Sequence, residues 1–382
     1  MKVKAFTILS LLAISLFSNA QTQFKIAERF YSGLSDSLTN QIIVSFDKLL
    51  LSIDNGQLDT MLIDTENKEL NRNFFTYLKG VERKDTIPKY FRGQLINLYP
   101  VENDRYLFTV LYSKNDEIGR ISTFLARKSD REMVFSSPLK YYTRHWKKEI
   151  IGTITFFYQD TIDRKRAGLF NQKNITIAQK LNLPARDWDM YMCGNFQEVL
   201  QLQGYDYDYR QNGKVNGGYI MDPKTLFSCM NDEDFSHDVL HIYASAIRGK
   251  VRNAVGECGL AYYWGNAYHL GENNEKAPGL EELVPALREY LQSQNDMTLL
   301  ELFDKSPNVL AEYGYPHPIQ VNRVIAGVIC REVERQKGIE GIVELLKCGR
   351  GNDNFFKATE SLIGINRENF DKEVYKLVFA EW

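Results

Sequence analysis

The chain has 382 residues, 44% hydrophobic and 25% charged, with 47 lysines and arginines against 49 aspartates and glutamates for a formal net charge of −2. That length predicts two domains, each able to bury an apolar core of its own. The basic residues form no block, which argues against nucleic acid as a partner, because phosphate neutralisation needs clustered Lys and Arg.

Lys2 and Lys4 open the chain, an apolar run follows from Ala5 to Phe17, and Ser18-Asn19-Ala20 offers small residues for cleavage before Gln21. This order predicts a secretory signal peptide over residues 1–20. The apolar run is shorter than the ~20 residues a membrane-spanning helix requires, so no stable membrane span is expected after its removal. No cysteine stands at the cleavage point, which disfavours a lipid anchor and places the mature chain in the periplasm or outside the cell. With Lys2 and Lys4 gone, 45 basic side chains face 49 acidic ones. Cys193, Cys229, Cys258, Cys330 and Cys348 are widely spaced with no CxxC pair. Disulfides are compatible with export, but the spacing selects none.

From residue 21 to 147 the pattern predicts a helix followed by strands. Ile42, Ile43, Phe46, Leu49 and Leu50 recur at the helical period, while Gln94–Leu98, Tyr106–Tyr112 and Arg120–Ala126 alternate as strands do. A helix on a curved antiparallel sheet is the economical arrangement. In element order it is similar to NTF2-like or cystatin-like accessory domains.

The charged stretch His145–Glu149 marks a boundary, and residues 148–382 form the second predicted domain. It opens with a strand over Ile151–Tyr158, then a helix through Ala167, Phe170, Ile177 and Leu181, and a strand from Trp188 to Cys193. A short helix over Phe196–Leu202 and a strand over Leu226–Cys229 follow, with the remainder mostly helical. The run Tyr205–Tyr209, with acidic spacers, reads as an exposed turn or a substrate-facing rim. The fold class expected overall is α+β.

His237-Asp238-Val239-Leu240-His241 carries the chemistry. Histidines at i and i+4 project from one helical face and can share a metal. Phe235, Val239, Ile242, Ala246 and Ile247 keep the helical period around them, and Gly249 is a natural stop. Sixteen positions after His241 comes Glu257, within Glu257-Cys258-Gly259-Leu260-Ala261-Tyr262-Tyr263. Cys258 points a different way from Glu257 on a helix and reads as a core cysteine.

A His-x-x-x-His helix followed by a helix bearing Glu-x-Gly-x-Ala-x-Tyr resembles the gluzincin, peptidase MA-like, zinc metallopeptidases. The likeness extends over residues 150–382, since Tyr313-Gly314-Tyr315-Pro316-His317 leads into an apolar helix, Gly338, a further helix and terminal helices. It implies a zincin-like, mostly helical domain with a small sheet, and zinc held by His237, His241 and Glu257. Asp238 then occupies the general-base position, where the family carries a glutamate. The carboxylate is retained one methylene shorter, and a retreat of about 1 Å can lower a rate on the order of a hundredfold. Tyr315 and His317 are the candidates for stabilising an oxyanion, and His269 could approach the site.

The expectation is therefore a zinc-dependent hydrolase acting on a peptide or protein substrate. The alternative is a peptidase-derived scaffold that binds a peptide, glycan or envelope protein without hydrolysing it. Composition and spacing leave the oligomeric state open.

Overall fold

The computed structural model describes residues 24–381, except 29, 84–91, 103, 115, 130–131, 216, 223, 268–275 and 294–296. The expected signal segment, residues 1–20, and His269 lie outside the described residues. The fold is α+β. It divides into two compact units, residues 1–144 with 197–215 and residues 145–196 with 216–382.

The first unit contains β1 (Phe24–Ile26), α1 (Asp36–Asp54), α2 (Lys68–Arg83), β2 (Arg92–Pro100), β3 (Arg105–Lys114), β4 (Glu117–Lys128), β5 (Met133–Ser136) and α3 (Leu139–Tyr142). Ser35 caps α1 by accepting the Leu38 N–H, and Ile42, Phe46, Leu49 and Ile53 follow at helical spacing on its buried face. The ring of Phe46 meets Phe108 of β3 and Phe124 of β4, each at 4.8 Å between centroids, so helix and sheet share one aromatic core. The strands run β1-β2-β3-β4-β5, antiparallel apart from the parallel β1–β2 pair.

The second unit begins with β6 (Lys147–Ile151), β7 (Ile154–Tyr158), α4 (Arg164–Lys180), β8 (Trp188–Met192) and the start of α5 (Phe196–Leu202). The chain then enters the first unit as β9 (Tyr205–Asp208), which pairs antiparallel with β4. Asp208 accepts a 2.8 Å hydrogen bond from the buried Arg120 of β4, and the Arg120 guanidinium lies 4.5 Å from the Tyr205 ring centre. The exposed turn or rim expected over Tyr205–Tyr209 is thus a paired strand with a buried first tyrosine. Alternation was hidden there because aspartate serves as the inward partner of a buried arginine.

Back in the second unit come β10 (Gly218–Ile220), β11 (Thr225–Ser228), α6 (Ser236–Arg248), α7 (Ala254–Trp264), α8 (Leu280–Gln292), α9 (Leu299–Lys305), α10 (Val321–Lys347), α11 (Asn352–Ile363) and α12 (Phe370–Phe379). Its five-stranded sheet has the order β10-β11-β8-β7-β6, with β7, β8 and β11 parallel and both edges antiparallel. The expected single strand over Ile151–Tyr158 is instead the end of a hairpin, β6 and β7. Among the described residues no helix is long and apolar enough to cross a membrane.

α7 lies against α10 at Gly259. A Cβ there would stand 2.6 Å from Ala326 Cβ and 2.7 Å from Gly327 N, so the two backbones approach as only glycine permits. Gly259→Ala is expected to lower stability by about 1–3 kcal/mol through overpacking. Denaturant titration checks this, and an unchanged midpoint would show that α10 yields freely.

Candidate metal centre

α6 starts beside a neutralised acidic turn. Asp232, Glu233 and Asp234 are successive buried carboxylates, and buried charges persist only when paired. Arg166 grips Asp232 through two bonds of 2.8 and 2.9 Å, Lys173 donates to Asp234 at 2.7 Å, and Lys276 pairs with Glu233 at 3.1 Å. Asp234 also accepts the Ser236 N–H at 3.1 Å, satisfying one of the donors a helix start leaves open. The position of His237, one residue on, follows from this turn.

Two residues after His241, α6 is tied to the sheet and to α4 by a buried amide. Asn174 accepts from the Tyr243 hydroxyl at 2.8 Å and from Trp188 Nε1 at 3.0 Å, and donates to Thr153 Oγ1 and the Arg186 carbonyl at 2.9 Å each. All four hydrogen-bonding places of the amide are used, which fixes the helix in rotation as well as position.

α6 ends at Gly249, whose φ of 71° lies in the region that favours glycine. Four residues later Asn253 caps α7 by accepting the Gly256 N–H at 3.0 Å. Its amide also donates to the carbonyls of Gly349 and Gly351 at 2.8 and 2.9 Å, fastening the start of α7 to the turn before α11. The short link folds α7 back beside the histidine-bearing face of α6.

Both imidazoles are held through Nδ1. His237 Nδ1 donates to the Asn266 carbonyl at 2.7 Å, and His241 Nδ1 donates to Glu257 Oε1 at 2.8 Å. When a ring is neutral, this arrangement leaves its Nε2 as the electron-pair donor. The two Nε2 atoms face each other at 3.2 Å with the rings nearly perpendicular, at 84°. Cys258 Sγ lies 3.9 Å from His241 Nε2, and the three donor atoms fall within 4.8 Å of one another. This partly buried group could hold a metal ion.

Glu257 stands elsewhere than the resemblance implied. Its Oε1 is on the far nitrogen of His241 and 2.9 Å from Arg252 Nε, while Oε2 accepts from Arg248 Nε. Almost fully buried and held by two arginines and an imidazole, the carboxylate orients His241 and does not enter the donor group. Consecutive residues on α7 approach the His241 ring from its two sides, Glu257 at Nδ1 and Cys258 at Nε2. Cys258 is buried, as expected of a core cysteine, and its sulfur also faces His241 Nε2.

The protonation states follow from these contacts. Burial opposes ionisation of the Cys258 thiol, but hydrogen bonds with His237 and His241, the His241 charge and the Arg323 charge bring it down to about 5. Burial would lower His241, yet its bonds to Cys258 and Glu257 hold the imidazole above its ordinary range. Burial would likewise raise Glu257, and the bond and charge of His241 with the two arginines keep it below the usual carboxylate range.

Asp238 is half-buried in the first turn of α6 and has no hydrogen-bond or ion-pair partner among the described residues. Tyr315, placed by the sequence as an oxyanion donor, turns its hydroxyl to the Glu282 carbonyl at 3.3 Å and packs its ring on the helical core. His317 is exposed, before a cis peptide bond to Pro318. The sequence reading did not single out Asn266, Arg248 or Arg252. Arg248 is the last residue of α6, and Arg252 stands in the link between α6 and α7. Asn266 contributes a backbone carbonyl, which no residue type announces.

The titration of Cys258 is directly measurable. In metal-free protein, the ultraviolet thiolate absorbance of the natural chain minus that of Cys258→Ser should rise with a midpoint of about 5. The folded-state pKa lies below the unfolded one. The thiolate's contribution to stability is therefore complete above the ordinary thiol range, declines as pH falls and is gone below about 5. A midpoint near 8.5, the value of a free cysteine, would show that the thiol is not coupled to the histidines.

Comparison with known proteins gives no matching family model and no matching curated protein.

Proposed function

We propose that this chain is a zinc-dependent hydrolase of peptide bonds, exported from the cytoplasm, with the ion held by His237, His241 and Cys258. One observation carries the reading. Two imidazoles pinned through Nδ1 bring their Nε2 atoms to 3.2 Å, and with both rings neutral the facing electron pairs repel unless a proton or a metal ion lies between them. Bonds of about 2.0–2.1 Å to nitrogen would set a tetrahedral N···N edge at roughly 3.3 Å, and a Zn–S bond of about 2.3 Å would set the N···S edge near 3.6 Å. The observed 3.2 and 3.9 Å are close to both.

The donor chemistry fits as well. A thiolate contributes the same single negative charge that a glutamate ligand would, so a divalent ion there keeps a net charge of +1. Its softness favours zinc over magnesium or calcium, which prefer oxygen. Three protein donors leave a position for water and substrate. When bound, zinc supplies an acidified water and a Lewis acid for the amide carbonyl.

The remaining work belongs to the chain. Glu257 keeps the proton of His241 on Nδ1 and the ring in place, and Arg248 and Arg252 hold Glu257 charged. Asp238 follows His237 on the same helix, and its unpaired carboxylate can accept a proton from the attacking water and return it to the leaving amine.

Purified protein is expected to carry about one zinc per chain, and His237→Ala and Cys258→Ser to lose it. Glu257→Gln should retain the ion with affinity weakened roughly 10–100-fold, as for an outer partner of a ligand. Equilibrium dialysis with elemental analysis decides this. If Glu257→Gln loses zinc outright while Cys258→Ser keeps it, the glutamate is the ligand and the assignment is overturned.

Asp238→Asn should leave zinc content unchanged and lower peptide hydrolysis about 10²–10⁴-fold, the usual contribution of a general base. Hydrolysis by the variant at the natural rate would remove Asp238 from the mechanism.

A further inference from the structure

Arg252 lies in the link between α6 and α7 with its side chain 38% exposed. Its Nε pairs with Glu257 Oε1 at 2.9 Å, which aims the guanidinium across the His241 ring. Nη2 then stands 3.1 Å from His241 Nε2, 3.3 Å from His241 Nδ1 and 3.1 Å from Cys258 Sγ.

The nearly equal distances to the two ring nitrogens put Nη2 over the face of the His241 ring, while at Cys258 Sγ the guanidinium, which has no electron pair to give, can only donate. Sγ is one of the atoms a metal ion would use. An ion held by Sγ and His241 Nε2 would also stand close to Nη2, and two cations would meet with little water between them.

On the reading that these residues form a metal site, we propose that Arg252 is a built-in competitor for it. Its guanidinium is the positive charge that lies over the His241 ring and donates to Cys258 Sγ in the metal-free protein, and it must leave Sγ for an ion to enter. The exposed side chain provides the route, since the guanidinium can turn toward solvent while the donor atoms stay pinned by Asn266, Glu257 and the packing of α7. The set is thus kept assembled without metal, and its affinity for metal is lower than two imidazoles and a thiolate would otherwise give. Arg248 makes the comparison sharp. It carries the same charge on the same carboxylate, yet its contacts are Glu257 and the Gly249 carbonyl.

The test is the zinc affinity of the full chain, measured by competition with a chromophoric chelator at neutral pH, for the natural protein, Arg252→Gln and Arg248→Gln. Circular dichroism establishes that each is folded, and Arg252→Lys replaces the glutamine variant if that one is not. Removing a charge-assisted donor from the ligand atoms should tighten zinc binding by Arg252→Gln at least about tenfold. Arg252→Lys, which keeps the charge without the planar fork, should also bind more tightly, by less. Arg248→Gln should leave the affinity unchanged or weaken it.

Equal tightening in both glutamine variants would mean that only net charge matters, and would overturn the proposal. So would unchanged or weaker binding in Arg252→Gln beside a natural protein that binds zinc, with the metal site itself left standing. Zinc binding by Arg252→Gln alone would support it in the strongest form. Absence of binding in the natural protein and in every variant would overturn the metal site and the competitor together.

Discussion

Everything at the centre depends on two hydrogen bonds that point away from it. Had His237 and His241 been free to choose a tautomer, the 3.2 Å contact between their Nε2 atoms would resolve itself as an N–H donating to a lone pair. Asn266 and Glu257 take the Nδ1 protons, at 2.7 and 2.8 Å, so the two Nε2 atoms are bridged only by a further proton or a metal ion. The raised pKa of His241 and the lowered pKa of Cys258 answer the same demand, a positive charge beside Nε2 and a negative one beside that. Arg252 answers it too. A polar cluster whose members are each satisfied only in the presence of the others is costly to leave half-formed.

The surrounding fold converts that local demand into a fixed geometry. α6 is located at its start by the paired acidic turn and in rotation by the Tyr243–Asn174–Trp188 amide network. α7 is located by the Asn253 cap and by Gly259, which lets it sit on Ala326 and Gly327. A ligand displaced by about 1 Å would spoil the meeting of the donors, and each of these contacts opposes such a displacement.

The legible and illegible parts of the site divide along a physical line. Periodicity exposed the histidines at i and i+4, because both sit on one helix whose apolar face is strong in Phe235, Val239 and Leu240. It also placed Glu257 and Cys258 on the following helix. Which of those neighbours meets Nε2 depends on the rotation of α7 relative to α6, and that is set by φ at Gly249, the cap at Asn253 and the close contact at Gly259. None of these leaves a trace in helical spacing. In the first unit, α1 and the strands β2 to β4 were readable from their patterns. The excursion of residues 197–215 onto β4 was not, since it rests on Arg120 meeting Asp208 eighty-eight positions later. The α+β class came through because it needs only local patterns.

The exchange of carboxylate for thiolate bears on how far the implied chemistry carries over. Net charge at the ion is conserved, so acidification of a bound water does not by itself demand a glutamate ligand. On the proposed reading Glu257 is not a ligand and fixes His241 instead, with Arg248 bonded to its second oxygen and Arg252 paired with it. In a site with a glutamate ligand, no cation could stand so near the donor atoms without weakening that ligand. In the proposed site Arg252 can, because the carboxylate that anchors it would not itself be a donor to the ion. Thiolate and arginine would then act together: a third ligand one residue along α7 from Glu257 supplies a softer donor and leaves the carboxylate free to pair with the guanidinium.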